Sequence, residues 1–340
     1  MMWESCWNKE NTILMNYISV IIPIYKVEQF IGRCATTLME QTLRDVEYIF
    51  VDDATPDNSI KILEDVISRY PHRKEQVRIV HHADNKGLPA ARNTGLALAT
   101  GEYIFHCDSD DYVELTMLED MYNTAKEHDV DIVWCDWYLT FAQNERYMKQ
   151  PSYETPLEAL KAMLSGAMKF NVWNKLVRRT LYTDNSIEFP AGYGMGEDMT
   201  MMMLFAHAKK VARVPKAYYH YVKTNTNAFS QTYSDKHLQE LKYNVARIER
   251  YMTIFYGNTM AHEIAFLKLD VKFPFLITDE GAKHQLWSEW YPEANKYINI
   301  KNSPSFRSYI LQRLAKANQF WLISLYYKIV YGLIYNIIYR

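Results

Sequence analysis

Cysteine is scarce in this chain. Its four cysteines, Cys6, Cys34, Cys107 and Cys135, are isolated from one another, with no CxxC and no zinc-like spacing. That pattern excludes a disulfide framework and favours reduced, structural thiols in a cytoplasmic setting. Charge of one sign is missing as well: 38 Lys and Arg against 40 Asp and Glu leave a formal net charge of -2, which gives no global argument for binding nucleic acid. Neither G-x-G-x-x-G nor G-x-x-x-x-G-K-[ST] occurs in the first strand-to-helix turn, so a dinucleotide cradle and a P-loop are both disfavoured. There is no internal repeat. No signal peptide is expected at the N-terminus, where ILM is too short an apolar run, and residues 1–16 read as a flexible lead.

What is present suits a large core. Hydrophobic residues make up 49% of the 340, with 27 Tyr and 8 Trp, which excludes a disordered chain and allows one large domain with an appendage or two medium domains. YISVII is an apolar, β-branched run closed by Pro23, as expected of a buried parallel strand. A helical stripe follows from Glu28 to Met39, with Phe30, Ile31, Cys34 and Leu38 on one face. VEYIFV, VRIVHH, EYIFHC and VDIVWC read as further strands, and IKILEDVISRY, LPAARNTGLALAT and LTMLEDMYNTAKEH as the helices between them. This alternation predicts an α/β layer with helices on both faces of a mostly parallel sheet, whose ligand meets the carboxyl ends of the strands. FAQNERYMKQPSYETP reads as a polar connection, NVWNKLVRR as a compact mixed segment and VARVPKAYYHYVK as an extended ribbon; beyond about Asp235 the pattern is mostly helical.

Acids collect at those strand ends. Asp52 and Asp53 end the second strand, and HCDSDD follows the fourth with Asp108, Asp110 and Asp111. A divalent cation prefers carboxylate oxygens and would offset a nucleotide diphosphate in the same crevice. Asp108 and Asp110 face one centre only if the backbone turns at Ser109. The alternative is a solvated loop in which Asp110 or Asp111 caps the next helix. Asp129 and Asp131 share the spacing but enter a strand, so they belong on the opposite edge. Lys86 and Arg92 stand beside a helix start near Leu88, where phosphate oxygens are favoured, although Lys86 also suits a plain surface turn. In GEDM, Glu197 and Asp198 lie where a glycine loop enters an apolar helix, a place for a general base or for a simple cap.

Five stretches, SVIIPIY, FVDDATPDNS, DNKGLPAARNTGLALATGEYIFHCDSDD, NVWNKLVRR and GEDM, follow one another between about residues 17 and 200. In order and separation they resemble family 2 glycosyltransferases of the GT-A fold, especially bacterial enzymes that build surface glycans. The resemblance implies a GT-A nucleotide-sugar-binding domain over 17–225 with a helical C-terminal region over 226–340. It also implies inverting transfer from a nucleotide-diphosphate sugar to a glycan or lipid-linked acceptor, with Mn2+ or Mg2+ as cofactor. By the same resemblance Pro23, Tyr25 and Glu28 line the nucleotide pocket, and Asp52, with Asp53 beside it, binds base or ribose. Lys86 and Arg92 contribute to that pocket, Asp108 contacts ribose and the metal region, and Asp110 is the firmer metal ligand. Asp198 is the general base, Glu197 the second candidate, and Trp173, Asn174 and Lys175 lie toward the acceptor. His220 either reaches the metal or diphosphate or forms a pocket wall. The chain departs from the family's usual residues at Lys26, where Asn is common, at Ala54-Thr55, where Gly-Ser is usual, and at His106-Cys107, where bulkier apolar residues are usual. Two other functions draw on the same acids: a sugar-phosphate nucleotidyltransferase, and a catalytically silent scaffold that binds nucleotide-sugar or glycan.

From Ser303 to Arg340 there is no Asp or Glu, while Arg307, Arg313, Lys316, Lys328 and Arg340 are basic. NQFWLISLYYKIVYGLIYNIIY is interrupted by Lys328 and Asn336, which fits an interfacial helix better than a membrane span. A peripheral enzyme on the inner face of the cell membrane is expected from this tail; the same stripe could instead pack on the catalytic domain or on a second subunit.

Overall fold

The computed structural model describes residues 17–225, 234–300 and 303–330. The lead 1–16, Cys6 and the last ten residues of the tail lie outside them. Strands β1 (Ile18–Ile24), β2 (Val46–Asp52), β3 (Val77–His81) and β4 (Tyr103–His106) pair in parallel in the order β3-β2-β1-β4. Every residue of β1 and β2 is buried, which is why both read as near-continuous apolar runs. Helices α1 (Ile31–Met39), α2 (Ser59–Ser68) and α3 (Leu88–Leu98) connect them. Helix α3 lies against β1 so closely that a Cβ on Gly95 would meet Ile21 Cγ2 at 2.3 Å.

The sheet continues through β5 (Tyr112–Val113), α4 (Met117–His128), β6 (Ile132–Thr140), β7 (Glu145–Met148), α5 (Pro156–Leu164), β8 (Lys175–Arg178), α6 (Arg179–Thr183), α7 (Thr200–His207) and β9 (Val211–Val222). Strand β8 enters antiparallel between β4 and β6, β9 runs parallel to β6, and β5 and β7 are antiparallel edge pieces. The sheet is therefore mostly parallel.

Several boundaries differ from the sequence expectation. Helix α1 starts at Ile31, because the chain first makes a turn in which Phe30 and Ile31 donate to Val27 O, and this frees Glu28 to hold the start of α2. The mixed segment NVWNKLVRR yields β8, and the polar connection after β6 contains β7, a strand exposed along most of its length whose polarity hid it. Asp129 and Asp131 do lie at the edge where β6 begins, and Arg178 binds both at 3.0 Å, an ion-pair cluster remote from the strand carboxyl ends.

Beyond β9 come α8 (Asp235–Tyr256), α9 (Ala261–Lys272), α10 (Gly281–Glu289), α11 (Phe306–Lys316) and α12 (Phe320–Ile329). Helix α8 packs on α7 and α9 on α5, so one buried cluster runs from Ile18 in β1 to Ile323 in α12. Among the described residues no helix is long and apolar enough to cross a membrane.

Candidate active site

The carboxyl ends of β1, β2, β3 and β4 converge on one edge. Tyr25 is exposed just past β1, after the buried Pro23. Asp52 is buried at the end of β2; its Oδ1 accepts from Thr55 N at 2.8 Å, and its Oδ2 meets the exposed His81 at Nδ1, 2.8 Å away. Asp53 turns inward: it is almost fully buried and accepts from Lys86 N and Gly87 N, each at 2.8 Å, and meets His82 Nδ1 at 2.7 Å. It fastens the loop that starts α3. Lys86 itself is exposed beside that helix start. The Glu28 carboxylate accepts from Asn58 N and Nδ2, both at 3.1 Å, so its role here is to hold two loops together. Two departures from the family pattern stand where the backbone is left-handed, Lys26 at φ 55 and Ala54 at φ 54.

The turn after β4 divides the acids of HCDSDD. Asp111 N closes it onto Asp108 O at 3.1 Å. Asp111 is buried and accepts from Tyr219 O–H at 2.8 Å and Val222 N at 2.7 Å, tying the turn to β9. Tyr219 Oη also accepts from Asp108 N at 3.0 Å. Asp108 and Asp110 stay partly exposed. Asn225 Nδ2 donates to Asp110 Oδ2 at 2.8 Å. Burial, and then the charge of Asp108, push the Asp110 carboxyl up to about 6. Two neighbouring carboxylates with that mutual repulsion fit a hard divalent cation, which would relieve it. Among the described residues no group of three His, Cys, Asp or Glu could hold a metal, so the rest of a coordination shell would come from diphosphate oxygens and water, as is common for Mg2+.

Arg92 joins this turn to the GEDM segment. From α3 its Nη2 donates to Asp108 Oδ1 at 2.8 Å and its Nε to Glu197 Oε1 at 3.0 Å. The guanidinium is 1% exposed, and against the penalty of burial Glu197 and Asp108 raise its pKa. Arg92 is thus a buried tie between two acids, where the sequence had suggested a contact to the donor. Glu197 is buried with it. Burial lifts the Glu197 carboxyl well above the usual range, with Arg92 opposing. Asp198, next in the chain, is partly exposed, and its pKa is also raised, by burial first, with Arg92 opposing and Asp108 adding to the rise. Of the two candidates, Asp198 is the one with an open side.

The expected acceptor residues are enclosed. Asn174 is 0% exposed and donates from Nδ2 to Cys135 O at 2.9 Å; Lys175 Nζ donates to Lys169 O, Asn171 O and Asn174 Oδ1 at 2.7–3.0 Å. Burial drives Lys175 down to about 7, with Asp198 pulling it back up. Trp173 is stacked among Trp137, Tyr219 and Tyr221 at 4.5–5.2 Å between ring centres. These three side chains are buried and brace the sheet behind the turn. His220 is sandwiched between Tyr112 and Tyr138 and bonded to Glu114 and Glu145, the wall role of the two expected. His106 packs on Phe189 beneath Arg92, and burial, then Arg92, hold it well below its ordinary pKa, hence neutral. Sequence reasoning missed His81, His82, Tyr219 and Asn225. The strand-end rule that found Asp52 would have found the two histidines; nothing local marks Tyr219 or Asn225.

The description Glycosyl transferase family 2 matches residues 19–196, more than half the chain. The protein belongs to glycosyl transferase family 2. It is 34% identical over 236 residues to the uncharacterized glycosyltransferase EpsJ of Bacillus subtilis, across 66% of this chain and 67% of that one. A second relative from that organism, putative glycosyltransferase EpsH, is matched over 64% of its length, so the chain spans about two thirds of such relatives. Among solved structures, S. aureus TarS 1-349 in complex with UDP-GlcNAc superposes with a TM-score of 0.65 at 19% identity, covering 92% of this chain and 91% of that one. The mannosyltransferase PcManGT from Pyrobaculum calidifontis, in complex with GDP-Man and Mn2+, gives 0.52 at 16% identity, covering 90% and 88%. Both likenesses concern the fold.

Proposed function

We propose that this glycosyltransferase is an inverting, metal-dependent enzyme that moves a sugar from a nucleotide diphosphate to a hydroxyl of a glycan or lipid-linked saccharide in surface-polysaccharide synthesis, working at the inner face of the membrane. The observation that carries the reading is the Arg92 tie, which holds the acidic turn after β4 and the GEDM acids in one cluster. Exposed Tyr25 and Lys86 and the start of α3 form the rim on the nucleotide side, with buried Asp52 at the end of β2. The donors seen in the TarS and PcManGT complexes, UDP-GlcNAc and GDP-Man, support a nucleotide-sugar for this crevice. Asp108 and Asp110 would hold Mn2+ or Mg2+, which when bound neutralises charge on a leaving diphosphate.

Asp198 accepts the proton of the acceptor hydroxyl as that oxygen bonds to the anomeric carbon; the bond from that carbon to the diphosphate breaks on the opposite side, inverting the centre. Glu197 and Arg92 hold Asp198 in place. A covalent glycosyl-enzyme is not needed. Titration of UDP-GlcNAc and GDP-Man with and without Mn2+, read by calorimetry and followed by product mass, tests the reading. Asp110→Ala should abolish the Mn2+-dependent part of donor binding. Undiminished Mn2+-dependent binding by that variant would remove Asp110 from the site, and a product joining nucleotide to sugar phosphate would make the enzyme a nucleotidyltransferase.

A further inference from the structure

A saccharide acceptor must rest on something while its hydroxyl faces Asp198, and Trp173, Asn174 and Lys175 are enclosed. Two tyrosines are open. Tyr193 lies in the loop ahead of Glu197, five positions before Asp198, and Tyr243 lies on α8. Their rings stack with centroids 3.6 Å apart and planes 8° apart, yet they remain 38% and 43% exposed. Stacked face to face, each ring covers one face of the other, and among the described residues the pair stays partly open to solvent.

The loop bearing Tyr193 is fastened in place. Asn244 Nδ2 donates to Tyr193 O and to Met195 O, each at 3.0 Å, and Glu240 Oε2 accepts from Met195 N at 2.9 Å. Arg247 reaches Glu188 O at 2.6 Å and Thr200 Oγ1 at 3.0 Å. Glu240, Asn244 and Arg247 recur at helical spacing on one face of α8, so one helix presents Tyr243 and also fixes the loop that presents Tyr193. Gly192 and Gly196 take φ 84 and φ 87, which let this short loop turn twice. A Cβ built on Gly192 meets nothing within 4 Å, so the space beside Tyr193 is open.

We propose that Tyr193 and Tyr243 are an acceptor subsite, an aromatic platform on which a pyranose ring of a glycan acceptor stacks while another part of that glycan reaches Asp198. The proposal rests on the transferase reading above. Its chemistry is that of the tyrosine ring: a flat apolar face for the C–H face of the sugar, rigid before binding, with a hydroxyl at the edge for the sugar's own hydroxyls. Five residues span at most ~18 Å, so the platform lies within a short oligosaccharide's length of the base.

The test uses the full chain, fluorescently labelled, on an array of immobilised mono- to tetrasaccharides of hexose, N-acetylhexosamine, deoxyhexose and uronic acid units. Binding of UDP and of GDP with Mn2+ is measured in parallel. Wild type should bind a subset of the array; Tyr193→Ala and Tyr243→Ala should weaken that binding ~10-fold or more, and Tyr193→Phe should stay within about twofold, because the ring carries the contact. Nucleotide binding should be the same in all four proteins. Saccharide binding unaffected by Tyr193→Ala, or no saccharide bound by wild type, overturns the platform. A wild type that binds neither UDP nor GDP overturns the transferase reading, and the platform falls with it.

Discussion

Two single residues, Lys26 and Ala54, show how local backbone geometry explains departures from a family pattern. The family's usual Asn and Gly at these positions are the residues that tolerate a left-handed backbone, and φ here is 55 and 54. Lys26 and Ala54 hold that conformation without the side chains that favour it. An alanine held left-handed costs roughly 1 kcal/mol, partly offset by the extra freedom glycine would bring to the unfolded chain. Ala54→Gly is therefore expected to raise Tm by about 1–2 °C, read by scanning calorimetry. A lowered Tm would mean that the alanine methyl contributes packing that outweighs the strain.

At the scale of elements, the decisive feature is that α3, the turn after β4 and the segment before α7 meet through Arg92. Its charge is the leading influence that lowers the pKa values of Glu197 and Asp198 against burial. Arg92→Met removes that charge, so a base that must be ionised would stay protonated to higher pH. The acid limb of kcat/KM should move upward by about one unit or more, and kcat/KM should fall throughout. A pH profile with lower activity but an unmoved limb would reduce Arg92 to a packing role. The strand-end acids were legible in the sequence because a buried strand announces itself by its apolar run, and its last residue must then reach the ligand edge. Which way each acid points was not legible. Asp52 and Asp53 are neighbours and both are buried, yet one binds Thr55 N and His81 while the other binds the Lys86-Gly87 amides, a choice made by a loop more than thirty positions away. Likewise only the resemblance placed Trp173, Asn174 and Lys175 toward the acceptor, and nothing in NVWNKLVRR showed that Asn174 and Lys175 spend their polarity on buried carbonyls. Strand β7 escaped notice because an exposed edge strand needs no apolar alternation.

The whole molecule joins a sheet that gathers the acids to a helical region whose last described helix has two unlike faces. On α12, Ile323 is buried and Phe320 stacks on His284, while Trp321, Leu325 and Ile329 recur at four-residue spacing and are 63%, 49% and 48% exposed. Lys328 is exposed beside them, and Arg313 and Lys316 are exposed on α11. An apolar stripe with tryptophan and flanking cations suits an anionic lipid headgroup layer. Wild type should co-sediment with phosphatidylglycerol vesicles, less so in high salt, and Trp321→Ser combined with Leu325→Ser should weaken that binding ~10-fold or more. Equal sedimentation of the two proteins would assign the stripe to another partner. In the proposed mechanism Asp198 takes the acceptor proton in a crevice whose donor side is built separately. Asp198→Asn, assayed with nucleotide-sugar, Mn2+ and an acceptor on which wild type turns over, decides it. Donor affinity should be retained within about twofold while kcat falls by ~10²–10⁴. Wild-type turnover by purified Asp198→Asn would contradict the account.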